Sequence, residues 1–186
     1  IPGQTIDMWC YYNHADEVEL FVNGESQGIR RKKVYGAAHE GAAWQHSTEY
    51  HVMWRVAFEP GEVKVVARKD GKQVGEQTIR TAGAPHHIVL KKTYQGTLAF
   101  GTSDPTTFVE VQVVDKDGNL CPNADNQIFF SSDAKILGTD NGCQTSLERF
   151  TDPHRKAFFG KCVVVLKGKG TLTAKAVDLQ QAQIQL

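Results

Sequence analysis

The sequence predicts an all-β protein, and three features carry that prediction. Apolar residues recur at every second position over stretches of roughly five to nine residues, the period of a strand with one face turned to a core. Turn signals such as Asn23-Gly24, Pro60-Gly61, Asp70-Gly71 and Asp117-Gly118 punctuate these stretches at intervals of roughly 8 to 12 residues. No segment sustains the 3.6-residue apolar period of an amphipathic helix. Short strands at this spacing read as two tandem immunoglobulin-like β-sandwich domains.

Taken in order, residues 4–12 place Ile6, Met8 and Cys10 on one face and Asp7, Trp9 and Tyr11 on the other. The clearest strand follows, where Val18, Leu20 and Val22 alternate with Glu17, Glu19 and Phe21. Asn23-Gly24 tolerates the positive φ angles of a type I′ turn, so residues 25–29 are expected to return as the second arm of a hairpin. Residues 35–46 combine small residues with scattered aromatics and hold neither period, which predicts a long loop. Val52, Trp54, Val56 and Phe58 line one face of the next strand, which Glu59-Pro60-Gly61 ends. Val63, Val65 and Ala67 share a face of the strand after that, and across the Asp70-Gly71 turn residues 73–81 should be its antiparallel partner.

Ala82-Gly83-Ala84-Pro85 has linker character, with small residues and a proline leading into a new strand at 86–91. The domains are therefore placed at 1–82 and 83–186. In the second, strands are expected at 108–115, 128–132, 157–166, 171–177 and 182–186. Turns are expected at Asp117-Gly118 and at residues 167–170, and Asp140-Asn141-Gly142 should lie in a loop.

The chain has 186 residues, and Lys plus Arg balance Asp plus Glu at 21 each. That balance provides no basic field for a phosphate backbone, so nucleic acid is not an expected partner. No apolar run approaches the roughly 18 residues of a membrane-spanning helix, and no membrane association is expected. The opening Ile1-Pro2-Gly3 leads almost at once into a strand, as in a piece cut from a longer polypeptide. Domains of under about 100 residues bury only about 60 to 65% of their unfolded surface, so each half would gain from docking on a neighbour.

Candidate chemistry is sparse. Cys10, Cys121, Cys143 and Cys162 match neither a CxxC redox motif nor a zinc knuckle and read as small buried residues. A Cys143–Cys162 disulfide is open if the compartment is oxidising. Asp16 and Glu17 should point to opposite faces of a strand, and Asp115 with Asp117 reads as part of a hairpin turn rather than a calcium loop. His86 and His87 open a strand and should diverge, and His39 with His46 is the other pair a metal would need; neither reads as a ligand set. Nucleophile elbow, phosphate loop and dinucleotide fingerprint are all missing, so no catalytic residue and no cofactor is assigned. The tryptophans all lie in the first half. Trp54 should be core; Trp9, Tyr35 and Trp44 are the candidates for contact with a carbohydrate or a neighbouring domain, because aromatic faces stack on sugar rings.

The motifs also carry a resemblance. Gly3-Gln4-Thr5-Ile6-Asp7-Met8-Trp9, the run from Asn13 through Ala15-Asp16-Glu17-Val18-Glu19-Leu20-Phe21-Val22-Asn23-Gly24 to Ser26 and Gly28, His51 with Trp54, Phe58-Glu59-Pro60-Gly61 and Thr81-Ala82-Gly83-Ala84-Pro85 resemble the region after the catalytic barrel in bacterial family-2 glycoside hydrolases of the β-galactosidase type. Val114-Asp115-Lys116-Asp117-Gly118-Asn119, Pro122-Asn123-Ala124-Asp125-Asn126, Asp140-Asn141-Gly142, Thr145-Ser146 and Arg155-Lys156-Ala157-Phe158 with Gly160-Lys161 are similar to the C-terminal immunoglobulin-like domain of those enzymes. The resemblance implies a parent that cleaves β-galactosides with retention through two glutamates. Those glutamates belong to the barrel, and no carboxylate here matches their motifs. It further implies a non-catalytic region that packs on the barrel of the same polypeptide, with an autonomous module for β-linked glycans as the alternative. A periplasmic or extracellular bacterial setting is implied on the same ground. The loop at 35–46 departs from the family pattern in length and aromatic content.

Overall fold

Alternation of apolar and polar side chains sets the strands of this protein, which a computed structural model describes over residues 3–32, 34–35, 46–47, 50–97 and 104–186. The chain divides into two compact units, Ile1–Thr81 and Ala82–Leu186. Among the described residues there is no helix, and the strand pairings are antiparallel throughout both units' sheets.

In the first unit β1 (Thr5–Tyr11) is followed by the hairpin of β2 (Glu17–Val22) and β3 (Glu25–Arg30). Two short strands, β4 (Val34–Tyr35) and β5 (His46–Ser47), pair with each other; residues 36–45, and with them most of the expected loop and Trp44, lie outside the described residues. Then come β6 (His51–Ala57), β7 (Glu62–Lys69) and β8 (Lys72–Arg80). The sheets are β1-β6 and β3-β2-β7-β8. Their facing sides meet in a small core of Val18, Leu20, Val52 and Trp54, with Met8, Cys10, Val56, Val63 and Val65 packed against it. Trp54 is only 2% exposed, and its indole N–H donates to the Gly28 carbonyl at 3.0 Å, which satisfies the one polar atom the ring brings into the core. Gly28, at φ +89°, sits where the β2–β3 register slips, a bulge that turns its carbonyl toward that ring.

Asn23 and Gly24 take φ +50° and +86°, the left-handed pair of a type I′ turn, and Asp70 and Gly71 repeat it at +50° and +72°. Asn23 also locks a second turn. Its Oδ1 accepts from the Glu62 N–H at 2.8 Å and its Nδ2 donates to the Pro60 carbonyl at 3.2 Å. Gly61, at φ +137°, leaves room for this: a Cβ there would lie 1.9 Å from Asn23 Oδ1. Two motifs that are 37 residues apart in sequence are thus one structure.

The second unit contains β9 (His87–Gly96), β10 (Thr106–Val114), β11 (Gln127–Ser132), β12 (Lys135–Asp140), β13 (His154–Lys156), β14 (Lys161–Lys167), β15 (Thr171–Lys175) and β16 (Ala182–Gln185). They form two four-stranded sheets, β12-β14-β10-β9 and β13-β11-β15-β16. Between them lies a continuous core that includes Val109, Val111, Ile128, Val164, Leu166 and Leu172. The chain enters through His86, whose N–H bonds the Val114 carbonyl and whose carbonyl accepts from Gln180 N–H, so the entry is tied to β10 and to the connection between β15 and β16.

Two sequence expectations change, and one open possibility closes. The apolar run at 157–166 is not one strand: Phe158 and Lys161 exchange backbone hydrogen bonds around Phe159 at φ +49° and Gly160 at +75°, a tight turn between β13 and β14. Gly160 is required there because a Cβ would approach the Cys121 carbonyl oxygen to 2.3 Å. His86 and His87 do not diverge; His86 precedes the strand, so strand alternation does not yet govern it, and their Nδ1 atoms come within 3.1 Å. No disulfide joins Cys143 and Cys162, because Cys162 faces the core from β14 while Cys143 lies in a loop, and both are free thiols.

Candidate functional site

The carboxylates that a catalytic reading would use are committed to structure. Asp16 accepts from the Asp70 N–H at 2.8 Å and closes the β7–β8 turn, while Glu17 pairs with Arg31. Glu19 takes Arg68 at 2.7 Å and the Ser26 hydroxyl at 2.7 Å; the hydroxyl first and the guanidinium second hold it below the ordinary carboxylate range. Asp115, nearly buried, accepts the N–H groups of Gly83 at 2.8 Å, Asp117 at 3.0 Å and Asn119 at 2.8 Å, together with Asn119 Nδ2 at 3.0 Å. These donors, the Gly83 amide foremost, hold its carboxyl far below the usual range. Asp115 therefore fastens the linker residue Gly83 to the β10 turn. Among the described residues no group of three metal-ligating side chains converges.

A second structural hub is Arg155, which the sequence placed in a family motif without a structural role. It lies on β13 with Ala157 on the same inward parity, and that shared parity is the signal that could have found it. Its guanidinium is fully buried and donates to the carbonyls of Thr139 at 2.7 Å, Arg149 at 2.9 Å and Glu148 at 3.2 Å. The Phe150 ring lies over it at 5.3 Å. Burial works against ionisation of Glu148, but hydrogen bonds from Gln127 and the Lys156 N–H and the charge of Arg155 outweigh it and lower that carboxyl. The result is a loop at 141–152 whose backbone is pinned from beneath while its apolar side chains face out. Leu147 is 98% exposed and Phe150 is largely so.

In the first unit the outward face of β1 and β6 carries the candidate Trp9. The register sets Asp7 opposite Arg55, Trp9 opposite Met53 and Tyr11 opposite His51. Trp9 is 55% exposed and Tyr11 67%. The Trp9 and His51 rings stack at 4.3 Å with planes 14° apart, and Tyr11 meets the same imidazole at 5.3 Å. Asp7 takes Arg55 through Nε at 2.8 Å and Nη2 at 3.1 Å, which lowers the carboxyl. On the inner side, an apolar cleft of about 500 Å³ opens between β1 and β8, bordered by Met8, Cys10, Val63, Val65 and Ile79. Tyr35 is placed only as backbone in β4, and Trp44 lies outside the described residues.

Two antiparallel sandwich units in tandem, without a converged acid-base pair among the described carboxylates, define a class of all-β module; the comparisons with known proteins give the family. The profile described as glycoside hydrolase family 2 C-terminal domain 5 matches residues 92–185, and the chain belongs to that family. A profile described as a domain of unknown function, DUF4982, matches residues 3–75. Over its whole length the chain is 48% identical to β-galactosidase BoGH2A of Bacteroides ovatus, of which it spans 21%. It matches the solved structure of a β-glycosidase from Bacteroides vulgatus with a TM-score of 0.82 and 31% identity, covering all of this chain and 23% of that one. A glycosyl hydrolase family 2 member from Bacteroides cellulosilyticus gives a TM-score of 0.80 at 26% identity, with coverage of 100% and 24%. The chain thus corresponds to between a fifth and a quarter of the length of these relatives.

Proposed function

We propose that this chain is the non-catalytic, post-barrel region of a retaining β-galactosidase-like enzyme and that it packs on the catalytic barrel of the same polypeptide. The observation that carries this reading is the loop at 141–152. A leucine exposed to 98% on a backbone that a buried arginine has already fixed costs little further ordering when it is buried by a neighbour. Phe150 and Phe159, both largely exposed, extend the apolar surface of this unit. The 48% identity to a β-galactosidase over a fifth of that enzyme's length supports a β-galactoside as the parent's substrate, and the resemblance to exported polysaccharide-degrading enzymes supports a periplasmic or extracellular setting.

The test is reconstitution. The chain alone should release no nitrophenol from p-nitrophenyl β-D-galactoside. It should bind the Bacteroides ovatus β-galactosidase from which the matching fifth has been removed, and Leu147→Asp should weaken that binding about tenfold or more. Hydrolysis by the isolated chain, or binding indifferent to Leu147→Asp, would overturn the reading.

A further inference from the structure

We propose that the outward face of the β1–β6 ribbon is a sugar-binding platform that takes a neutral β-linked glycan. On it a pyranose ring stacks against Trp9, and its hydroxyls bond the Asp7–Arg55 pair. Four observations converge on one strand ladder. Trp9 and Tyr11 are both more than half exposed on the same side of β1, so two rings lie open on one face. The Trp9 ring is ordered in advance by its stack on His51, which removes part of the entropy a ligand would otherwise have to overcome. Met53, directly opposite Trp9, adds a polarisable apolar contact beside the indole.

The fourth observation selects the ligand. The Asp7–Arg55 pair sits one rung along from Trp9 on the same face, and its charges cancel. An apolar protein surface laid over this face would strip water from the Asp7 carboxylate, a residue type depleted from interface cores, and from its pair with Arg55. A polyol meets no such penalty, because its hydroxyls both donate to the Asp7 carboxylate and accept from the Arg55 guanidinium. Only two of the five guanidinium N–H donors are used by Asp7. A rung spacing of roughly 7 Å separates the hydrogen-bonding pair from the stacking ring, close enough for one small glycan to engage both. An anionic sugar gains nothing from a face without net charge. The platform is thus matched to neutral hexoses, and it is separate from the Leu147 loop that the docking reading uses.

The 186-residue chain is titrated with β-1,4-galactotetraose and cellotetraose and followed through its tryptophan indole N–H signals by NMR. The Trp9 signal, assigned with Trp9→Phe, should move saturably with one of these probes. Trp9→Ala should weaken binding about tenfold or more, and Arg55→Gln by about threefold or more. Melting of Trp9→Ala checks that the fold holds; if it does not, Trp9→Phe and Arg55→Gln read the same two contacts. No saturable shift with either probe, an affinity untouched by Arg55→Gln and Trp9→Ala, or tighter binding of a galacturonate tetramer would each overturn the proposal.

Discussion

The two units solve the same problem with different completeness. In the second, four strands face four and the core runs without interruption through Val109, Ile128, Val164 and Leu172. Among the described residues of the first, two strands face four, four buried residues form the centre, and β8 is exposed along most of its length. A two-stranded sheet cannot cover a four-stranded one. The uncovered part becomes the apolar cleft beside β1, and the outer face of the ribbon stays rich in rings. A unit with a closed core can spend its apolar residues on itself; the open one leaves them available for a partner.

The sharpest way to break this contrast is Trp54→Ala. Removing a buried indole costs about 3–5 kcal/mol, and in a unit with so small a core that is a large share of its stability. Hydrogen exchange should show the amides of 3–80 losing protection while those of 88–186 keep theirs. Equal loss in both would mean the units do not unfold separately. Arg155→Met should cost about 3 kcal/mol, because three carbonyls lose a buried donor, and its effect should be confined to the loop at 141–152 and to β12 and β13.

Acid gives the smallest effect and the most specific one. The folded-state pKa of Asp115 lies below its ordinary value of 3.8, so the stability it contributes is fully present above that pH and is lost as pH falls below it. The melting temperature of the second unit should therefore drop more steeply below about pH 4 than that of the first, where Asp7 sits in an exposed ion pair that water screens and Glu19 is held by one hydroxyl and one arginine against the four donors of Asp115. Asp115→Asn should lower stability at neutral pH and reduce the extra slope in calorimetric scans, leaving the share carried by the other lowered carboxylates of that unit, Glu148 among them. An unchanged slope would assign the acid sensitivity elsewhere.

What could be read from the sequence was what depends on neighbours along the chain. Asn23-Gly24 and Asp70-Gly71 announce their turns because positive φ restricts the choice of residue, and the burial of Trp54 follows from its parity with Val52. The Phe159-Gly160 turn was hidden inside an apolar run, since neither phenylalanine is a turn former and the glycine answers to a positive φ and to the closeness of the Cys121 carbonyl. Asp115 and Arg155 look like ordinary surface charges until strands from elsewhere bring backbone donors and carbonyls to them. The same holds for the candidate platform. Trp9 could be placed on the outer face of its strand, but its stack on His51 and the Asp7–Arg55 pair depend on a register with β6 that only the fold supplies.

The entry of the chain into the second unit has a mechanical consequence. Gly83 is bonded to Asp115, the His86 N–H to Val114, the His86 carbonyl to Gln180 N–H, and the Ile88 N–H to the Gln180 carbonyl. A tug on residue 82 would load these four bonds together, on the β10 end and on the β15–β16 connection, instead of unzipping one ladder rung by rung. Bonds loaded in shear share the force. The junction is built as a clamp, and traction on the linker would reach the body of the sandwich before it could peel away the first strand.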